Sequence, residues 1–224
     1  MKKVFSCLGG FILLIFGPQM VLAQSYLHLN AGYLIPAGKY AEKSFNEDAG
    51  MAGEGLGYSL EFSKFYKSGL GWTIVAGQHK NQMAFGRLEE IAAEEFGGEW
   101  KISGDPWSYY FVMPGFAYHY SWVIDIEASL SAGYVYSISP ETQLDYTISE
   151  NEGQLRLPES NSDAMAVMPS LRIAYPLQNF TVFARWSTFL ARPQFTMTLL
   201  DGKEYDVKQN IINMNLGMGI GYRF

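Results

Sequence analysis

Few side chains in this 224-residue chain could do covalent or acid–base chemistry. Its one cysteine is Cys7, and its histidines are His28, His79 and His119. Thiol catalysis, a zinc cluster and a disulfide framework therefore lack the residues they need. Acid–base chemistry would need a histidine set beside a nucleophile. All three histidines instead lie in segments where apolar and small residues alternate. His79 has the parity opposite to Trp72, Ile74 and Ala76, which turns it inward as a structural ring rather than a base. The expectation is no catalytic residue, no metal site and no cofactor.

The charged residues say more by where they stand. Nineteen of the 22 acids fall in four segments, 42–54, 89–105, 141–163 and 201–206, with eight basic residues in or beside them. None of these segments has the D-x-[DN]-x-[DN]-G spacing of a calcium loop, so they read as solvated acidic faces. The other three acids, Glu61, Asp125 and Glu127, sit in apolar surroundings, and Arg172, Arg185 and Arg223 match them in number and in parity. Water imposes no such balance. A narrow, poorly hydrated interior does, because an unpaired charge there is expensive.

The elements that would hold such a set follow from composition and period. The chain is 48% hydrophobic and 16% aromatic, with 23 glycines, a mean hydropathy of −0.03 and a net charge of −6. That is the profile of one β-rich domain, and the acidic balance excludes nucleic acid as a partner. Lys2 and Lys3, the apolar run 8–16, Pro18 and the sequence Val21-Leu22-Ala23 make residues 1–23 an export signal, cut after Ala23. The run is too short to span a bilayer. The domain is then 24–224, and Cys7 leaves with the signal.

From 212 to 224 every even position is apolar (Ile212, Met214, Leu216, Met218, Ile220, Tyr222, Phe224). The odd ones are Asn213, Asn215, Gly217, Gly219, Gly221 and Arg223. A period of two is a strand with two unlike faces. It recurs over 123–138, and both strands are long enough to cross a bilayer. The same template gives strands at 25–33, 55–65, 70–80, 107–120, from 123, 165–175, from 180, and ending at 224. Connections after the second, fourth and sixth are short and the others long, as in a meander that crosses a membrane. The predicted fold is all-β, an eight-stranded antiparallel up-and-down transmembrane β-barrel, with both termini on the short-turn side. A soluble barrel of the lipocalin kind would have to fit the large apolar face inside eight strands, where there is no room. Pro114 and Pro169, mid-strand, are read as bulges.

Aromatic residues cluster beside the short turns (Phe62, Phe65, Tyr66, Tyr118, Tyr120, Trp122, Tyr175, Phe180, Tyr222, Phe224). A looser set lies toward the long loops (Tyr33, Tyr58, Tyr110, Tyr134, Tyr136, Trp186). Within the loops, Asp201-Gly202 is a hairpin signal that would carry the last two strands outward. Segments 143–148 and 154–157 would do the same for strands five and six. Residues 87–96 suit a short helix with Leu88, Ile91, Ala92 and Phe96 on one side.

The ending Gly219-Ile220-Gly221-Tyr222-Arg223-Phe224 resembles the C-terminal assembly signal of outer-membrane barrels. Together with LNAGYLIPAGKY at 29–40, Gly55-Leu56-Gly57-Tyr58 and FLARPQF at 189–195, the chain resembles the porin-like outer-membrane β-barrel domain family of Gram-negative bacteria, small barrels of the OmpA and OmpX type. The resemblance implies a place in the outer membrane, with periplasmic termini and extracellular long loops. Its partners would be outer-membrane lipid and lipopolysaccharide, with the barrel-assembly machinery reading Gly219, Tyr222 and Phe224. It implies no shared activity. The expected role is a non-enzymatic surface barrel for adhesion or envelope integrity. A narrow porin is the alternative, and a lipid-modifying enzyme of the outer leaflet stands behind that.

Overall fold

The computed structural model describes residues 24–44, 49–148, 151–198 and 204–224. The export signal at 1–23, the acids Glu47, Asp48 and Glu150, and the Asp201-Gly202 turn lie outside the described residues. Eight strands close into one barrel: β1 (Gln24–Ala37), β2 (Ala52–Phe65), β3 (Leu70–Met83), β5 (Trp107–Ser121), β6 (Asp125–Ile138), β9 (Asn161–Leu177), β10 (Phe180–Ala191) and β13 (Ile211–Arg223). Each pairs antiparallel with its neighbour in the chain of barrel strands, and β13 closes onto β1 with Leu27 opposite Tyr222 and Leu29 opposite Ile220. Both ends of the barrel chain therefore meet the three short turns at one rim.

Alternation along the strands divides the wall into two chemistries. Leu29, Leu60, Val112, Leu130 and Ile220 point outward and stay exposed, with Phe116 82% and Met218 74% accessible. A continuous outward apolar surface of this kind belongs in hydrocarbon. Phe65, placed by the sequence in the aromatic belt, turns inward instead, against Tyr26 and His119. It is at the odd, lumen-facing parity of β2, which outweighs its nearness to the turn.

The prolines are not bulges. Pairing of Pro114 with Ile74 and of Pro169 with Leu130 is kept. On the other side of each proline the ladder skips two residues and resumes in the same register, Val112 with Tyr134 and then Gly115 with Ser131 in one case. A proline withholds one N–H, and the strand can lose that one bond without taking in an extra residue. The register shift recorded in the barrel lies between Ala52 and Gly55, on β2.

Beyond the barrel the long connections build their own structure. The first holds a 3-10 turn, Gly38–Ala41. The second holds α1 (Phe85–Phe96) and β4 (Glu99–Gly104), with Leu88, Ile91 and Ala92 buried but Phe96 exposed. Segments β7 (Thr142–Ile148) and β8 (Asn151–Leu157) do not prolong the barrel strands. They form a hairpin that takes β4 as a third strand. Likewise β11 (Gln194–Thr198) pairs only with β12 (Glu204–Lys208) among the described residues. Pro140, Pro158 and Pro193 stand where the barrel strands stop, and each breaks the ladder that a continuous strand would need. Glu54 and Asp163, read as loop residues, are on barrel strands.

A ladder closed on itself has no edge from which to unzip. Unboiled protein in SDS is therefore expected to migrate differently from boiled protein. Identical mobility of the membrane-inserted material would contradict the closed barrel.

Candidate functional site

An eight-stranded lumen is only wide enough to be filled by side chains, and this one is filled in layers. The middle layer is ionic. Arg172 of β9 lies in register with Glu127 of β6 on one side and Arg185 of β10 on the other. Its Nη1 donates to Glu127 Oε2 at 2.8 Å, and its Nη2 reaches across the lumen to Glu61 Oε2 on β2 at 2.7 Å. Arg185 Nη1 stands 3.1 Å from the same Glu61 oxygen. Glu61 is 2% exposed and Arg172 3%. Two guanidinium groups thus meet two carboxylates, and the layer is neutral.

Neutrality alone would not hold such ions out of water, because each remaining donor and acceptor also needs a partner. The other Glu61 oxygen accepts from Ser63 at 3.1 Å and Thr73 at 3.0 Å. Arg185 has the hydroxyls of Ser59 and Ser170 within 3.4 Å. Arg172 Nη1 also lies 2.9 Å from His28 Nδ1. A guanidinium only donates, so this ring nitrogen accepts. The Phe183 ring centre is 4.8 Å from the Arg172 guanidinium carbon, a cation–π contact. Room for these rings comes from β13: a Cβ on Gly219 would lie 2.4 Å from Phe183, and one on Gly221 2.4 Å from His28. The inward glycines of the chain's end are therefore packing requirements of the ionic layer.

Four of the six charges named from sequence meet here, and two do not. Asp125 is buried at the short-turn end, where it accepts from Ser121 at 2.6 Å and lies 3.9 Å from His119. Arg223 is half-buried at the rim and donates to the Gln178 carbonyl at 3.0 Å. Both are on inward parity, but they lie at the ends of their strands, near the short-turn rim. Parity fixes a face and leaves depth open. That end of the lumen is closed by Tyr26 stacked on His28, with Phe65 and His119 beside it.

Toward the long loops the lumen is aromatic, which the small, polar inward residues of 123–138 and 212–224 did not foretell. Tyr40, Trp107, Tyr109, Phe111, Phe189 and Phe195 pack with Val75, Met113 and Met168 into one buried cluster. Tyr40 descends from the 3-10 turn, and Tyr109 donates to its hydroxyl at 2.6 Å. Burial pushes the Tyr40 phenol well above its usual pKa. Trp107 Nε1 donates to the Gly50 carbonyl, tying the first loop to the mouth. Within the aromatic layer, Asn81 of β3, opposite Trp107, and Asn213 of β13, opposite Phe189, exchange amide hydrogen bonds across the lumen, at 3.4 and 2.6 Å. His79 is buried between Phe111 and Phe189. The inward parity of Tyr109, Phe111 and Phe189 is the signal in the sequence for this layer.

Of the residues assigned to assembly, Gly219 faces the lumen, while Tyr222 and Phe224 lie on the other surface. With Phe180 they form an edge-to-face run on the outer wall, and the Phe224 amide donates to the Ser25 carbonyl. Among the described residues no cluster of histidine, cysteine or carboxylate side chains is arranged to hold a metal ion.

The fold is that of an eight-stranded, up-and-down transmembrane β-barrel. No family model matches the chain. No curated protein matches it. Solved structures do. A major outer membrane protein from Thermus thermophilus superposes with a TM-score of 0.53 at 13% identity, over 90% of this chain and 99% of that one. The outer membrane protein OprG from Pseudomonas aeruginosa gives 0.51 at 12% identity, over 90% and 96%. At such identities the likeness is one of fold, the fold of the small outer-membrane barrels.

Removing Arg172 strands Glu127 and half of the Glu61 partnership in a dry interior. Arg172→Ala is expected to lower barrel stability in urea titration by about 3–5 kcal/mol. Lys101→Ala, which removes an exposed charge on β4, should change it by less than about 0.5 kcal/mol. Glu127→Gln added to Arg172→Ala should recover part of the loss. A neutral Arg172→Ala would remove the ionic layer from the account of stability. A second expectation concerns the chain end: Phe224→Asp places a charge in the exposed aromatic run and should cut the yield of membrane-inserted protein far more than Glu94→Ala. Equal yields would remove Phe224 from the assembly role.

Proposed function

We propose that the chain is an integral outer-membrane protein of a Gram-negative bacterium, with periplasmic termini and extracellular long loops, whose work is done by those loops. The observation that carries this reading is a lumen closed twice, by the ionic layer and by the aromatic layer above it, inside a wall whose exterior is apolar. Such a barrel is an anchor rather than a conduit. The loops it holds carry most of the chain's acids and build two small sheets and a helix, an ordered surface of the kind that adhesion or envelope integrity requires. The fold shared with the two outer-membrane proteins supports the location.

Catalysis has no support in the same geometry. His79, the histidine nearest the loops, is enclosed by aromatic rings, and a base must come within hydrogen-bond reach of the proton it takes. The chain is therefore read as non-enzymatic.

Planar-bilayer recording tests the anchor reading. The folded protein should show no discrete conductance steps, and Arg172→Ala should show none either, because the aromatic layer still fills the mouth. Steps above the bilayer baseline for the unmodified protein would make it a pore. Binding of the same folded protein to an array of host-matrix proteins, glycans and lipopolysaccharides would identify the surface partner.

A further inference from the structure

Charge is scarce on the outward face of the barrel strands, since hydrocarbon does not tolerate it. Near the loop end three charged side chains point outward from these strands: Glu54 on β2, Lys80 on β3 and Asp163 on β9. Glu54 and Asp163 each accept a hydrogen bond from a neighbouring tyrosine hydroxyl, Tyr33 and Tyr134 respectively. Lys80 has no hydrogen-bond or ion-pair partner among the described residues. A cation at the edge of an apolar wall without a protein partner takes its partner from its surroundings.

Lys80 lies in an open cleft of about 1020 Å³ on the outside of β1, β2 and β3. The register shift between Ala52 and Gly55 falls within its lining. At its back the wall is bare backbone: a Cβ on Gly55 would come 1.9 Å from the Lys80 carbonyl oxygen. Its floor is apolar and accessible, with Leu56 directly opposite Lys80 in the ladder and Tyr58 one step further down. Lys43, from the first loop, supplies a second ammonium and also has no partner among the described residues. Glu54 is the acid in this cleft and is held by Tyr33.

We propose that this cleft binds a phosphorylated lipid of the surrounding leaflet. The Lys80 and Lys43 ammonium groups take the headgroup phosphate, and the acyl chain lies on Leu56 and Tyr58. The proposal rests on the reading that the barrel spans a bilayer with its loops in the outer leaflet's headgroup zone. One feature selects a lipid over a free anion: beside the two ammonium groups the cleft is lined by Leu56 and Tyr58, exposed residues of the outward apolar wall on which an acyl chain can lie and a free anion gains nothing. Lysine suits the task because its flexible stem follows the wall while the ammonium stays at headgroup depth.

Native mass spectrometry of the folded full-length barrel, titrated with bis-phosphorylated lipid A and with its dephosphorylated form, tests this directly. The unmodified protein should retain the phosphorylated lipid in preference. Lys80→Gln should weaken retention about tenfold, the factor that one charge-assisted hydrogen bond carries. Lys43→Gln should weaken it further in combination, Lys80→Arg should keep it, and Lys101→Gln should leave it unchanged. Equal retention of the two lipids, or retention undiminished in Lys80→Gln, overturns the proposal. Insertion of the same samples into nanodiscs, read by the mobility shift on boiling, tests the spanning reading separately.

Discussion

Everything in this molecule follows from closing eight strands into a ring that is barely wide enough for its own side chains. Closure pairs every barrel strand on both sides and removes the edges, and it leaves a space where each inward residue must pack against the opposite wall or be paired within it. Arg172 is the clearest result. Its guanidinium spans the lumen to Glu61, meets Glu127 beside it, rests on Phe183 and donates to His28. Serine and threonine hydroxyls donate to the second oxygen of Glu61, and inward glycines on β13 give the rings room. The same narrowness makes the aromatic layer at the mouth solid. On the anchor reading proposed above, the loops and the outer wall are the surfaces that meet other molecules.

The sequence carried the barrel well because period-two alternation reports a strand's two faces without reference to anything distant. The strand of 212–224 and its fellows, the alternating loop lengths and the shared rim of the two termini were all legible in that way. It also carried the identity of the ionic set, since Glu61, Glu127, Arg172 and Arg185 are charges at inward parity. Depth was not legible. Asp125 and Arg223 share that parity and end at the rim, because a residue's height depends on strand tilt and stagger, which are properties of the closed ring. Phe65 shows the converse: its position beside a turn suggested the interface, and its parity placed it inside.

The loops were the least legible part, for a related reason. Strand signals at 143–148 and 154–157 specify extended chain but not a partner. Pro140 and Pro158 separate them from the barrel. Segment β4, with no strong alternation of its own, becomes the third strand while packing against α1, with Ile102 and Leu88 both buried. Pro114 and Pro169 suggest bulges by their mid-strand position, yet the register is the same on either side of each. A missing donor interrupts one ladder bond, whereas a bulge needs an extra residue, and neither strand has one to spare.

The cross-lumen contacts also set an order of events. Arg172 joins residues 111 positions away at Glu61 and 144 away at His28, and Asn81 meets Asn213 across 132. Each of these ties connects an early strand to a late one, so none can form while the seam between β1 and β13 is open. The cross-lumen ties are therefore a latch thrown only at the last step of folding, after long loop closures that local strand pairing does not reward. An unlatched barrel still has its hairpins but exposes two arginines and two glutamates. Bilayer insertion and ring closure must then proceed together, and the finished protein opens only by releasing the cross-lumen ties together.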